Sequence, residues 1–162
     1  MFAVSENVAY DELERRLRAL LRNERDFIAN AANFAAFVYH EVSGVNWAGF
    51  YLATPTSELV LGPFCGRPAC SRLPPGSGVC GAAATNRATL VVDDVDAFAD
   101  HIACDTASRS EIVVPVFADG SFVGVFDCDS PLPARFTEAD RAGLELLLGV
   151  FTQSLRQPTS AP

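Results

Sequence analysis

Between residues 10 and 23, leucines recur every three or four positions (Leu13, Leu17, and Leu20 or Leu21) with charged residues between them. That spacing predicts an amphipathic helix with one apolar face. A second helical pattern runs from about Glu24 to Val42, with Phe27, Ile28, Ala31, Phe34, Ala35 and Val38 at core spacing. Nothing between the two is a strong breaker, so one bent helix fits as well as a pair. Ser43–Gly44 then ends the pattern. At residues 46–52 the period drops to two, with Trp47, Gly49 and Tyr51 on one face and Ala48, Phe50 and Leu52 on the other. A second strand is expected over 57–64, linked through Thr54–Pro55–Thr56. Turn residues fill 74–81 and lead into a short helix beginning at Ala82–Thr85. Residues 88–92 read as a short strand, and 93–100 as an acidic loop or helical turn.

The clearest hairpin follows. Two apolar runs, Glu111 to Ala118 and Ser121 to Asp129, flank Asp119–Gly120, a strong two-residue turn signal. Pro131 and Pro133 mark a loop. Thr137, with Asp140 three residues later in the manner of a capping box, starts a last helix. Its apolar face is Leu144, Leu147, Phe151 and Leu155, with Leu146 and Val150 alongside. The order predicts an α+β domain with a largely antiparallel sheet and its N- and C-terminal helices on one face.

The 162 residues suit one domain, expected over 1–162 with its core at about 24–156 and a flexible tail at 157–162. The hydrophobic share of 49% and charged share of 20% fit a globular chain. A net charge of -8 argues against nucleic acid and anionic membranes, which need a basic face. No apolar run is long enough for a membrane span, and the acidic start is unlike a secretory signal. The expected setting is cytoplasmic, where thiols stay reduced. Cysteines at 65, 70, 80, 104 and 128 are odd in number and contain no Cys-x-x-Cys, which argues against a disulfide framework or a zinc ribbon. They are inert packing thiols, a metal site of unusual spacing, or redox-active thiols.

Chemistry concentrates in two stretches. Cys104 lies in a polar segment between His101 and Asp105, with Arg109 near enough in sequence to lower a thiol pKa. A buried, merely packing cysteine is the plain alternative. In Asp127–Cys128–Asp129, strand alternation turns both aspartates one way and Cys128 the other, toward the core. Hairpin geometry brings the aspartates opposite the neighbourhood of Glu111. Three carboxyl groups can therefore gather at one end of one hairpin. Crowded acids raise one another's pKa, which suits a general acid or a pocket for a cationic ammonium group. They disfavour a standing thiolate, but they fit reduction of an oxygenated sulfur, whose oxygen must be protonated as a thiol attacks. A sulfenic acid formed in that way condenses with a second thiol, and Cys70 and Cys80, both expected in loops, are candidates. A zinc site from Cys65, Cys70, His101 and Cys104 has no familiar spacing, and a phosphate cradle at residues 75–78 lacks a lysine.

The stretches Asn46–Trp–Ala–Gly–Phe–Tyr51, Leu61–Gly–Pro–Phe64, Pro68–Ala–Cys70, Gly76–Ser–Gly–Val–Cys–Gly81, His101–Ile–Ala–Cys–Asp105, Ala107–Ser–Arg–Ser–Glu–Ile–Val–Val–Pro115, Gly124–Val–Phe–Asp127, Asp129–Ser130 and Arg135–Phe136 stand in an order that resembles the free methionine-(R)-sulfoxide reductases, which are single-domain GAF proteins. The resemblance spans about residues 30–150 and implies a GAF fold and reduction of free methionine (R)-sulfoxide. It implies that Cys104 attacks the sulfoxide sulfur and becomes a sulfenic acid, with methionine released. Cys70 would be the usual resolving thiol, and Cys80 a third thiol able to form a redox-active disulfide with Cys104. Glu111, Asp127 and Asp129 would hold the sulfoxide oxygen and amino group, and Trp47 would pack on the methyl group. Tyr51, on the same strand face, is added from alternation. The resemblance further implies recycling by thioredoxin or a related dithiol, no metal or organic cofactor, a role in oxidative stress and a homodimer. Cys65 and Cys128 are extra thiols relative to that pattern, and Cys65 leaves a second resolving route open. A redox- or small-molecule-sensing GAF domain without catalysis is the alternative.

Overall fold

The structure is a computed structural model that describes residues 8–100 and 106–156. The tail expected at 157–162, and with it His101 and Cys104, lie outside the described residues.

Helix α1 spans Tyr10–Leu21 and α2 spans Phe27–Glu41. They are two helices rather than one bent one, because carboxylates stop the chain and restart it. Glu24 Oε1 accepts the backbone N–H groups of Arg25 and Asp26, and the Asp26 side chain then caps α2 by accepting from the Ala29 N–H. Leu13, Leu17 and Leu21 are buried, whereas Leu20 is exposed, as are Ile28 on α2 and Leu146 on the last helix. Leu20 and Leu146 each sit about 100° around the helix from a buried leucine, and Ile28 from the half-buried Phe27, outside the stripe the core covers.

The strands are β1 (Trp47–Ala53), β2 (Leu59–Gly66), β3 (Arg72–Leu73), β4 (Leu90–Val92), β5 (Ser110–Ala118) and β6 (Ser121–Ser130). They form one sheet in the order β3-β2-β1-β6-β5-β4, antiparallel throughout. The two-residue β3 carried no periodic signal. Helix α3 (Gly78–Asn86) begins four residues before the expected Ala82, and α4 spans Glu138–Ser154. The capping box of α4 is present: Thr137 Oγ1 accepts the Asp140 N–H and Asp140 Oδ2 accepts the Thr137 N–H. Asp140 also takes a proton donor from Tyr10 Oη and another from Arg135 Nη1, both at 2.8 Å, so one carboxylate fastens α1, α4 and the intervening loop.

Both faces of the sheet are covered. On one, α1, α2 and α4 bury Ala48, Phe50, Ile112, Val114, Phe126 and Cys128 with their own apolar stripes. Phe27, Phe34, Phe50, Phe126 and Phe151 make edge or tilted ring contacts there, with centroids 4.8–6.2 Å apart. The other face carries Trp47, Tyr51, Val113 and Val125 and is closed by α3 and the loop ahead of β3. The central pair, β1 and β6, approach closely at Gly124, whose φ is +152° and where any Cβ would fall 2.2 Å from the Tyr51 carbonyl oxygen. Only glycine fits there. Among the described residues, no helix is long and apolar enough to cross a membrane.

Candidate active site

Strand register assembles the acids. Glu111 on β5 pairs with Asp129 on β6, and Asp129 pairs with Trp47 on β1, so the three form a row across the sheet. One step along the strands, Val113, Asp127 and Gly49 form the next row, and Tyr51 pairs with Val125 beyond it. Paired residues and those two apart share a face, so Trp47, Tyr51, Glu111, Asp127 and Asp129 project together. Cys128 projects oppositely into the helix-side core, as alternation predicts.

The walls come from elsewhere. Trp47 lies between two rings, stacked on Phe64 at 5.5 Å and on Tyr51 at 5.9 Å. Its position requires Gly49 beneath it, since a Cβ there would come within 2.6 Å of the indole. Trp47 Nε1 donates to the Arg67 carbonyl, and Tyr51 Oη donates to the Cys70 carbonyl at 2.9 Å. Strand β1 thereby pins the loop that carries Cys70. The first turn of α3 forms the opposite wall and presents Cys80. The resulting pocket has an empty volume of about 550 Å³, its open mouth included, and takes in all five of these side chains together with Cys80 and Ser108.

Electrostatics in this pocket favour protons. Glu111 and Asp127 are only 5% and 6% exposed, and no cationic side chain lines the cavity among the described residues. Burial first, and then the charge of Asp129, push the Glu111 carboxyl well above its ordinary range. Burial also raises Asp127, followed by the Glu111 charge; the two share a side-chain hydrogen bond. The Cys80 thiol, 4.0 Å from Glu111 Oε1, is raised for the same reasons, burial leading and the three acids following. Cys80, Glu111 and Asp127 hold donor atoms within 4.8 Å of one another, a set that could take a metal ion only by giving up the protons this setting favours. Asp127 Oδ1 is buried without a partner.

The structure thus brings together Trp47, Tyr51, Cys80, Glu111, Asp127 and Asp129. Cys70 is half-buried on the pinned loop and disulfide-bonded, while Cys65, Cys80 and Cys128 are free thiols. Cys80 is not in a loop, as its glycine-rich surroundings suggested, but buried in the first turn of α3. Cys65 lines a separate depression with Tyr39, His40 and Arg67. Ser108 is the pocket residue that sequence reasoning passed over. It is 6% exposed and its Oγ has no partner. A serine two residues ahead of an apolar strand gives no pattern to find it by.

Residues 12–155 match the GAF domain family. The free methionine-R-sulfoxide reductase of Escherichia coli is 45% identical over 146 residues, covering 90% of this chain and 88% of that protein. Among solved structures, free methionine-R-sulfoxide reductase from Neisseria meningitidis, in complex with its substrate, superposes with a TM-score of 0.87 at 44% identity, over 96% of this chain and 93% of that one. A proposed GAF sensor protein from Burkholderia vietnamiensis superposes with a TM-score of 0.84 at 54% identity, over 91% and 96% of the two chains.

Proposed function

The chain belongs to the free methionine-R-sulfoxide reductase family of GAF-domain proteins, and from that membership we propose that it reduces free L-methionine (R)-S-oxide to methionine. The observation that carries this reading is the row Trp47–Asp129–Glu111, backed by Asp127, in a pocket whose burial raises the Glu111 and Asp127 carboxyl groups. A sulfoxide is a poor electrophile until its oxygen receives a proton. A buried neutral acid supplies that proton without the thiolate needing to face a standing negative charge. The aromatic wall of Trp47 suits the substrate methyl group, and the half-buried carboxyl group of Asp129 suits its ammonium group.

In this mechanism the thiol of Cys104 attacks the sulfoxide sulfur and the oxygen is protonated from Glu111 or Asp127. The oxygen passes from the substrate sulfur to the Cys104 sulfur as the sulfur–sulfur bond formed in the attack breaks, which leaves methionine reduced and Cys104 oxidised to a sulfenic acid. The Cys70 thiol then displaces water to form a disulfide, and an external dithiol, thioredoxin or a relative, returns both thiols. Cys104 stands four residues before Ser108, a span of at most about 14 Å of chain from a residue that lines the pocket. Support for Cys70 as the resolving thiol is that it alone is oxidised among the four described cysteines. Cys80 is a weaker resolving candidate than the resemblance implied, because it is buried, its thiol pKa is raised, and its Sγ donates to Glu111 Oε1. Three free thiols among the described residues accord with a cytoplasmic setting and a role under oxidative stress. The homodimer rests on family membership.

The sensor reading is favoured by the Burkholderia protein, and turnover separates the two. Purified protein is incubated with free R and S sulfoxides and with a sulfoxide-containing peptide, with dithiothreitol as reductant. Reduction of the free R epimer alone, lost in Cys104→Ser, supports the enzyme. Equal activity in that variant sinks it. With thioredoxin as reductant, Cys70→Ser falls further than with dithiothreitol; a full thioredoxin-driven rate removes Cys70 as the resolving thiol.

A further inference from the structure

Resting on that reading, we propose that Tyr51 is a positioning residue for the second half of the reaction: its hydroxyl holds the backbone at Cys70 and so sets that thiol for attack on the Cys104 sulfenic acid. Residues 67–71 carry Cys70 from the end of β2 to the start of β3 and belong to no helix or strand. Such a segment has no ladder of its own, so bonds from its surroundings must fix it. Strand β1 supplies two of them. Trp47 Nε1 donates to the Arg67 carbonyl at 3.0 Å, where the segment begins, and Tyr51 Oη donates to the carbonyl of Cys70 itself at 2.9 Å. The Leu61 N–H of β2 holds the far end through the Ser71 carbonyl at 3.0 Å. Of these three bonds, the one from Tyr51 falls on the residue whose thiol must react.

The tyrosine is itself held. Its side chain is 2% exposed and its ring is stacked on Trp47 with centroids 5.9 Å apart, which fixes where the hydroxyl sits. Burial first, and then the charge of Asp127, push its phenol well above the ordinary range, so it remains a donor throughout the working pH range. In the resolving step the Cys70 sulfur attacks the Cys104 sulfur. The sulfur–sulfur bond forms as the sulfur–oxygen bond breaks, and the oxygen leaves as water with the thiol and sulfenic protons. No outside oxidant or reductant enters. This step competes with other fates of a sulfenic acid, further oxidation to a sulfinic acid among them, so its rate depends on how often the thiol is in place. A fixed backbone at Cys70 leaves the thiol only its own side-chain rotation to search.

The test reads how the oxidised nucleophile partitions. Fully reduced protein turns over one equivalent of free methionine (R)-sulfoxide without a reductant, in the presence of dimedone, which captures sulfenic acids. Mass spectrometry gives the ratio of captured Cys104 to Cys70–Cys104 disulfide. That ratio is set after methionine has formed, so it is independent of any effect of Tyr51 on substrate binding. Tyr51→Phe keeps the ring and removes the donor, and the ratio rises about tenfold over wild type, the scale of one hydrogen bond. In Cys70→Ser capture is complete. Trp47→Phe, which frees the Arg67 end, raises the ratio less, and it replaces Tyr51→Phe if that variant does not fold. Cys128→Ala, a packing change on the opposite face, leaves the ratio as in wild type. A wild-type ratio in Tyr51→Phe, or an equal rise in Cys128→Ala, overturns the positioning role. Methionine formed by Cys70→Ser with no captured Cys104 means that another thiol resolves, which removes the Cys70 assignment and the role of Tyr51 with it. A wild-type protein that forms no methionine removes the reductase itself.

Discussion

The same three central strands build two unlike environments. Toward α1, α2 and α4 they present Phe50, Ile112, Val114, Phe126 and Cys128 to a core of interlocking rings. Toward α3 they present Trp47, Glu111, Asp127 and Asp129, beside two buried oxygens, Asp127 Oδ1 and Ser108 Oγ, that no described residue satisfies. Neighbours in sequence are opposites in role. Cys128 is fully buried and packs; Asp127, one residue earlier, is nearly as buried and faces a cavity. Burial alone therefore does not separate structural from functional groups on this sheet. What separates them here is the face from which they project, toward the ring cluster or toward the cavity. The helix side stabilises the fold, and the α3 side holds buried acids, their pKa values raised, that a tighter fold would do without.

The sharpest way to break that contrast is Phe126→Ala. Removing a ring that touches both Phe34 and Phe50 should cost about 3–5 kcal/mol, read as a drop in the chemical-denaturation midpoint. A loss under about 1 kcal/mol would mean that the ring cluster does not carry the fold.

Asp127→Asn should do the reverse. Activity should fall about 100-fold as a buried acid is lost. Stability should move the other way, with a sign set by the raised carboxyl groups. Below the ordinary carboxylate range, folded and unfolded chains both hold these protons and the acids cost little. As pH rises, the unfolded chain releases protons first, so wild-type stability declines until the raised folded values of Glu111 and Asp127 are passed. Asn removes one such group, so at pH 8 the variant should melt about 3 °C higher, the scale of about 1 kcal/mol in a domain of this size, and its melting should vary less with pH. A variant that melts lower at pH 8 while matching wild type in acid would show that the Asp127 carboxyl is a stabilising partner instead.

The smallest effect compares two thiols. Cys128→Ala should cost about 1 kcal/mol and leave kcat/KM unchanged, whereas Cys80→Ala should shift the alkaline limb of the kcat/KM profile by altering what surrounds Glu111. Equal shifts in the two variants would mean that the faces communicate through the sheet.

The strands other than β3, the Asp119–Gly120 hairpin and the capping box of α4 were legible in the sequence because each has a short-range signature. So was the gathering of Glu111, Asp127 and Asp129, since alternation and one turn settle it. The break between α1 and α2 was hidden because Glu24 and Asp26 act through side-chain oxygens, with no glycine or proline to mark it. The start of α3 was hidden by the glycines at 76, 78 and 81, and with it the helical setting of Cys80. Ser108 and the α3 wall come from segments about 30 residues apart in sequence, and only the closed fold opposes them across one cavity.

Gly124 has a consequence for which lengths of this chain can be inherited. With the β1–β6 approach too close for any side chain, the two strands cannot slide past one another to absorb an added residue. A one-codon insertion between Gly124 and Asp129 would exchange the faces of everything after it, sending an aspartate into the phenylalanine cluster and a cysteine into the acid pocket. Lineages of this protein should therefore vary in length at the exposed Pro55–Ser57 and Asp119–Gly120 turns while holding the Gly124–Asp129 interval constant, whatever residues they substitute within it.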